Sequence, residues 1–266
     1  MTATTTPERS PARTTYDAMA PHYDAFTSHH DYDHWTRQLE AAARRHGLAG
    51  TRLLDVGCGT GKSFAPFLAR GWEITACDVS LEMLRVARRR AGGRVPLHRR
   101  DMRELGVLGG FDFITCLDDA VNHLLEDGDL ERAFAAARAN AAPGCVYLFD
   151  VNTLATYRGF FSSTLTIDDE AGGRFLVWEG HAGGDAGPGA RCTARFVAFE
   201  RRGERWRRTD VRVEQRHHPA EAVRESLEAA GWECAALYGQ GLDGRLEPEL
   251  DELRHTKAVF VARAGY

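Results

Sequence analysis

Two short apolar segments, Arg52 to Val56 and Glu73 to Cys77, flank a turn whose glycines fall at Gly57, Gly59 and Gly61, and Asp78 follows the second segment at once. Segments of that length and apolarity read as buried strands, and the stretch between them reads as a helix. The glycine turn therefore sits at the carboxyl end of the first strand, and an acidic residue caps the second. Strand, glycine turn, helix, strand and acid in this order make a βαβ unit that holds an adenosine-bearing cofactor. A plain glycine turn in an α/β protein would leave Asp78 unexplained.

Spacing separates the cofactors. A dinucleotide site requires Gly-x-Gly-x-x-Gly, so that the pyrophosphate lies against a helix N-terminus; here the third glycine comes one residue early. A phosphate loop requires Gly-x-x-x-x-Gly-Lys-Ser. Gly61-Lys62-Ser63 supplies its end, but Val56 stands where the first glycine belongs, and Asp55 would face a polyanion. What remains, Asp-x-Gly-x-Gly-x-Gly over residues 55–61, resembles the nucleotide loop of class I S-adenosylmethionine (SAM)-dependent methyltransferases. SAM carries an ammonium and a sulfonium and no phosphate, so an acidic residue beside the loop attracts it.

The 266 residues are 43% hydrophobic and 27% charged, which suits one globular domain with an inserted subdomain. No apolar run reaches the length of a membrane span, and the Thr/Pro/Ala-rich start lacks the apolar core of a signal peptide. Cys58, Cys77, Cys116, Cys145, Cys192 and Cys234 are scattered without a Cys-x-x-Cys pair, so neither a metal site nor a disulfide framework is expected, and a cytoplasmic setting is. Net charge is -4, and the basic runs (Arg88–Arg90, Arg99–Arg100, Arg201–Arg202, Arg207–Arg208) are separate and interleaved with acids. That balance argues against a nucleic-acid partner. Lys62 and Lys257 are the only lysines among 34 basic residues.

Residues 1–14 are expected to be disordered. Helices are expected over Tyr16–Phe26 and Tyr32–Arg45, then strands and helices in alternation: Arg52–Val56, helix Gly61–Ala69, Glu73–Cys77, helix Ser80–Arg90 with Ser80 as N-cap, Val95–Arg99, Phe111–Leu117, helix Leu130–Asn140 and Cys145–Val151. Alternation of this kind gives a doubly wound, mostly parallel sheet. From Phe160 to Arg216 the helical period disappears, and glycine clusters punctuate extended segments, which read as an antiparallel β subdomain inserted into the core. A helix over Pro219–Ala230 and strands over Trp232–Gly239 and Thr256–Ala264 complete the core. Residues 15–152 and 218–266 are thus assigned to the core. Residues 153–217 are assigned to an inserted lid or homodimer surface.

The resemblance now extends over nearly the whole chain. It is carried by Tyr16-Asp17-x-x-Ala20-x-x-Tyr23-Asp24, the loop at Gly57, Asp78-Val-Ser80-x-x-Met83, Asp101-Met102-Arg103, Phe111–Leu117, Asn122-His123-Leu124 and Leu148–Asn152. Together these are similar to a class I methyltransferase subgroup with a seven-stranded, Rossmann-like sheet interrupted by an antiparallel sheet after the fifth strand. Amino-sugar N-methyltransferases of macrolide pathways belong to it.

That resemblance implies roles. Asp55 lies near the methionine ammonium, directly or through water, or instead caps the next helix; Gly57 and Gly59 admit the cofactor to the backbone. Asp78 accepts hydrogen bonds from both ribose hydroxyls. Val79 and Met83 pack on the adenine, although a helix-face methionine is equally at home in a core. Asp101 and Met102 meet the adenine edge, and Leu117 touches the cofactor through its main chain. Tyr16 and Tyr23, seven residues apart on one helix face, close over the sulfonium by cation–π attraction or serve as core aromatics, with Trp35 a further candidate for that wall.

On the acceptor side the expected residues are Asp118, Asp119, Asn122, His123 and Asn152, with Tyr157 and Trp178 from the insertion. His123 lies near the acceptor or is a packed histidine; Asn152 meets the acceptor or caps a turn. Tyr16, Asp118 and His123 are the expected catalytic groups. The acceptor is expected to be a small molecule methylated at an amine in bacterial specialised metabolism. Oxygen, carbon and RNA acceptors, a noncatalytic SAM-binding regulator, and a SAM enzyme that cyclises its cofactor are the rivals.

Overall fold

The computed structural model describes residues 11–264. Helices α1 (Pro11–Phe26) and α2 (Tyr32–Arg45) precede β1 (Arg52–Val56), α3 (Ala65–Ala69), β2 (Glu73–Asp78), α4 (Leu81–Ala91), β3 (Leu97–Arg99), β4 (Phe111–Cys116), α5 (Asp129–Arg138) and β5 (Ala141–Asn152). After α6 (Leu154–Arg158) come four strands, β6 (Thr164–Asp169), β7 (Arg174–Gly180), β8 (Arg191–Arg202) and β9 (Arg205–Arg216). The chain ends with α7 (Ala220–Ala229), β10 (Trp232–Gln240), β11 (Leu246–Glu247) and β12 (Lys257–Ala264).

One sheet has the order β11-β10-β12-β5-β4-β1-β2-β3. β1 to β5 pair in parallel, and β12 enters antiparallel between β5 and β10. These are the seven expected core strands, with the two-residue β11 added at one edge. Both faces are buried, which is why the strands read as continuous apolar runs. Leu54, Ile114 and Phe149 pack toward α5 and α7, while Leu53, Phe113 and Leu148 pack toward α2, α3 and α4. The order reverses at β1, flanked by β2 and β4, and ligands collect outside such a switch point. The second sheet, β6-β7-β8-β9, is wholly antiparallel and lies against α1 through Met19, Ala20, Trp178 and Phe196.

The departures from expectation have local causes. Residues 1–10 of the segment expected to be disordered lie outside the described residues, and Pro11–Thr14 is already helical, with proline in the first turn where its missing N–H costs nothing. The helix expected from Gly61 starts only at Ala65, because Gly61 has φ +82°, outside the right-handed region. β3 begins after Pro96, which has no N–H for the ladder. No helix among the described residues is long and apolar enough to cross a membrane.

Candidate active site

The carboxyl ends of β1, β2, β3 and β4, with α1 and the start of α2, enclose a cleft. Gly57 has φ +69°, and a Cβ there would meet Ala120 Cβ at 3.0 Å, so the loop runs close to the turn after β4. A Cβ on Gly61 would strike the buried Phe64 ring at 2.5 Å, so this glycine serves packing within the loop.

Asp78 lines the cleft where Oδ2 accepts the Gly59 N–H and Oδ1 the Ser80 N–H, each at 2.8 Å. A carboxylate has four acceptor positions, so one on each oxygen remains, spaced for a vicinal diol. Burial pushes this carboxyl up to about 6, against the pull of the backbone N–H groups around it. Val79, Met83 and Met102 supply apolar surface beside it. Asp101 also reaches the cleft, but both its oxygens are held by Arg103 at 2.7 and 2.9 Å, and Arg103 turns further to the buried Asp129. Any contact from Asp101 to an adenine edge shares the carboxylate with that guanidinium.

At the other end, α1 uses its paired Tyr-Asp motifs in two directions. Tyr16 and Tyr23 face the cleft with ring centroids 6.1 Å apart. The adjoining aspartates pin the helix to the nucleotide-side elements: Asp17 accepts the Ser80 hydroxyl at 2.6 Å, and Asp24 the Thr60 hydroxyl at 2.7 Å and Arg90 at 2.6 Å. Tyr16 Oη lies 2.8 Å from His123 Nε2, and His123 Nδ1 lies 3.0 Å from the Glu214 carbonyl oxygen. A carbonyl only accepts, so Nδ1 carries the proton and Nε2 accepts from Tyr16. Burial lowers the His123 pKa to about 4 and raises that of Tyr16, and both stay neutral.

Behind the tyrosines sits a cluster that short-range sequence patterns did not reveal. Lys257, at the start of β12, places Nζ 2.6 Å from Asp150, 3.2 Å from Asp119 and 3.7 Å from Asp118. Asp150 also accepts the N–H groups of Asp118 and Asp119 at 2.7 and 2.9 Å. This holds both residues at positive φ, 64° and 55°, and turns Asp118 into the cleft. Burial pushes both carboxyls up. At Asp118 it is outweighed by Lys257, His30 and the hydroxyls of Tyr32 and Tyr23, which hold the group below the usual carboxylate range. At Asp119, with Asp118 and Asp150 beside it, the carboxyl goes up to about 6.

Several expected site residues lie elsewhere. Asp55 is 1% exposed and off the cleft wall: it accepts the Ser63 hydroxyl at 2.6 Å and the Thr115 hydroxyl at 2.8 Å, strapping the loop to β4. It caps no described helix. Trp35 is buried and donates to Gln240 at 2.7 Å. Asn122 and Asn152 tie to each other and to Arg216 and Gln215. Tyr157 is fully buried on Gln215 and Arg216, Trp178 stacks on Phe160 and Phe26, and Asp119 is taken up by Gln215 and Lys257. The inserted sheet thus reaches the site through Gln215 and the Glu214 carbonyl, not through aromatic walls. Tyr32, Lys62, Lys257 and Gln215 were missed.

Burial pushes the Asp55 carboxyl up to about 6. An acid with a raised folded pKa holds its proton more tightly when folded, so its contribution to stability is present below about 3.8 and is lost as pH rises toward 6. Asp55→Asn keeps the shape and removes this titration. Its Tm relative to wild type is expected to rise by several degrees between pH 4 and pH 7 in a thermal melt. A difference constant with pH would mean that Asp55 does not titrate there.

The cleft therefore offers apolar surface for a base, free acceptor positions for a ribose diol and aromatic faces for a sulfonium. These residues fit SAM. Comparison with known proteins agrees. The family model described as methyltransferase domain matches residues 53–144. The Bacillus subtilis (strain 168) protein named "Putative methyltransferase YqeM" is 31% identical over 221 residues, covering 82% of this chain and 86% of that protein. A S-adenosylmethionine-dependent methyltransferase from Clostridium acetobutylicum superposes with TM-score 0.77 at 23% identity, covering 95% of this chain and all of that one. CalS10, a SAM-bound amino pentose methyltransferase from Micromonospora echinaspora, superposes with TM-score 0.66 at 25% identity, covering 91% of this chain and 96% of that one. With SAM as its cofactor and an antiparallel sheet inserted in its core, this chain belongs to the class I SAM-dependent methyltransferases.

Proposed function

We propose that the enzyme methylates an amine nitrogen of a small molecule, in a specialised bacterial pathway of the cytoplasm. The observation that carries this reading is the locked His123. Its one acceptor nitrogen is filled by the Tyr16 hydroxyl, and burial keeps its pKa near 4. Asp118 is held low by its partners. A phenol, with a pKa of about 10, needs a base to become nucleophilic. A neutral amine brings its own lone pair and needs alignment and exclusion of water. The likeness to an amino pentose methyltransferase supports the same choice.

When bound, SAM supplies an electrophilic methyl on a sulfonium. Tyr16 and Tyr23 present neutral aromatic faces and hydroxyl oxygens to that region, and His123 fixes the Tyr16 hydroxyl. In this reading residues 15–152 and 218–266 are the SAM-binding core. The insertion, 153–217, holds the acceptor side in shape through Glu214 and Gln215.

The test measures S-adenosylhomocysteine (SAH) release with nucleotide-linked amino sugars and with catechols. Turnover of an amine and none of a catechol is expected; the reverse would end the proposal. With a working amine, His123→Gln is expected to lower kcat about tenfold and leave the pH profile in place. Loss of a general base would cost roughly 10²–10⁴ and move that profile.

A further inference from the structure

Gln215 is buried on β9, and its side-chain amide meets four other side chains. The amide oxygen accepts Asn152 Nδ2 at 2.9 Å and the Tyr157 hydroxyl at 3.2 Å. The amide nitrogen donates to the Asp119 carboxylate and lies 3.4 Å from His123 Nε2. A carboxylate only accepts, so the nitrogen end faces Asp119, and one of its two hydrogens is left for His123. A single nitrogen thus stands between a carboxylate and an imidazole and offers a hydrogen to each.

His123 Nε2 has one lone pair, and two donors converge on it: the Tyr16 hydroxyl at 2.8 Å and this second N–H. Nδ1 already gives its proton to the Glu214 carbonyl oxygen at 3.0 Å. Around the ring, the turn after β4 supplies Asp118 and Asp119, β9 supplies Arg212 and Glu214, and α1 supplies Tyr16 and Tyr23; Lys257 of β12 pairs with both aspartates. Of these acids, Asp119 is kept from the ring by the Gln215 amide. The direction of the Tyr16 hydroxyl depends on this arrangement. While Nε2 accepts, the Tyr16 hydrogen points at His123, and only oxygen lone pairs are left for the cleft. Those lone pairs receive an N–H of an amine and leave the nitrogen lone pair free for the methyl. A proton on Nε2 would reverse the bond. The Tyr16 O–H would then turn into the cleft and tie up the amine lone pair.

We propose that Gln215 is a positioning residue for methyl transfer: by presenting an N–H to His123 Nε2 where Asp119 would present a carboxylate, it keeps the Tyr16 hydrogen turned away from the acceptor amine. This rests on the amine reading above. It gives one side chain of the inserted sheet control over the direction of a hydrogen bond in the core site.

The test exchanges the amide and the carboxylate. With Asp119→Asn and Gln215→Glu combined, the two side chains still pair, the charge is that of wild type, and asparagine tolerates the positive φ at 119. An oxygen now faces His123 Nε2. Imidazole 15N shifts are followed against pH in the SAH complex, with His123 assigned by its loss in His123→Gln. Wild-type His123 is expected to stay neutral above about pH 5, and in the double variant to take up a proton with a midpoint between about pH 6 and 8. Gln215→Glu alone, whose carboxyl shares a proton with Asp119, presents the same oxygen and is expected to move His123 the same way. Asp119→Asn alone keeps the Gln215 N–H in place, and its His123 is expected to stay neutral. These measurements need no acceptor, so they stand apart from the choice of amine. With a working amine, kcat of the double variant is expected to fall about tenfold below the new midpoint, with KM for SAM within about twofold. That loss should vanish in a His123→Gln background. An unshifted His123 in both Gln215→Glu proteins, or a shifted one with unchanged kcat, would overturn the proposal. So would an equal loss of kcat with and without His123, since Gln215 would then only brace the fold.

Discussion

Asp78→Ala is expected to weaken SAH binding by about a hundredfold or more. Hydrogen bonds to a charged group contribute about 1.5–3 kcal/mol each, and a tenfold change in Kd is about 1.4 kcal/mol. Losing two such bonds to ribose hydroxyls reaches that figure. The same substitution strips the Gly59 and Ser80 N–H groups of their acceptor, so the loop that shapes the cleft loses its anchor at the point of contact. Asp78→Asn retains one carbonyl oxygen and is expected to fall between the two.

The pH dependence has a definite sign. The free protein holds the Asp78 carboxyl at about 6, raised by burial. Below that pH the group is protonated and gives up acceptor positions, so wild-type Kd for SAH is expected to rise as pH falls from 7 to 5. The alanine variant has no such carboxyl, and its weaker affinity should be flatter with pH. Calorimetric Kd values for Asp78→Ala within threefold of wild type would show that the diol is bound elsewhere.

Asp78 was legible because everything that places it is local: five residues of β2, a parallel register with β1, and a turn that needs positive φ. The same holds for Gly57, Gly59 and the Ser80 cap, where the Met83 N–H is received at 3.1 Å. The hydroxyl partners of Asp55 were not legible, because a strand pattern gives residue spacing and not which side of the loop a side chain serves; those partners, Ser63 and Thr115, lie 8 and 60 residues away. In the insertion, alternation showed strands but not which face was covered, and α1 covers the face that carries Trp178 and Phe196. Gln215 had no sequence mark at all, since its partners Asp119, Asn152 and Tyr157 converge only in the fold. The lysines did have a mark. Two lysines in a chain that otherwise uses arginine are positions where an ammonium does what a guanidinium does not, and both stand at the site.

Lys257→Met is expected to be the most destabilising single change at the site, and its effect should grow with pH. The substitution leaves Asp150, which is fully buried, together with Asp118 and Asp119 around a vacated ammonium position. Removing one partner of a buried ion pair costs about 3–5 kcal/mol, and at roughly 2–4 °C per kcal/mol for a chain of this size the Tm should fall by about 10 °C. In wild type the Lys257 charge opposes the effect of burial at Asp118 and Asp119. In the variant the folded pKa values of Asp118 and Asp119 move up, so the folded state takes up protons that the unfolded state releases, and stability is lost as pH rises through the raised values. The Tm deficit should therefore be largest near pH 8 and shrink toward pH 5, where the carboxyls are protonated. The variant also takes away the ammonium, 2.6 Å from Asp150, that fixes this carboxylate under the N–H groups holding Asp118 and Asp119 at positive φ. Asp118 then loses its aim into the cleft. If melts at pH 5 and pH 8 show the same deficit, Lys257 fills space at the head of β12 and its charge does not hold the cluster.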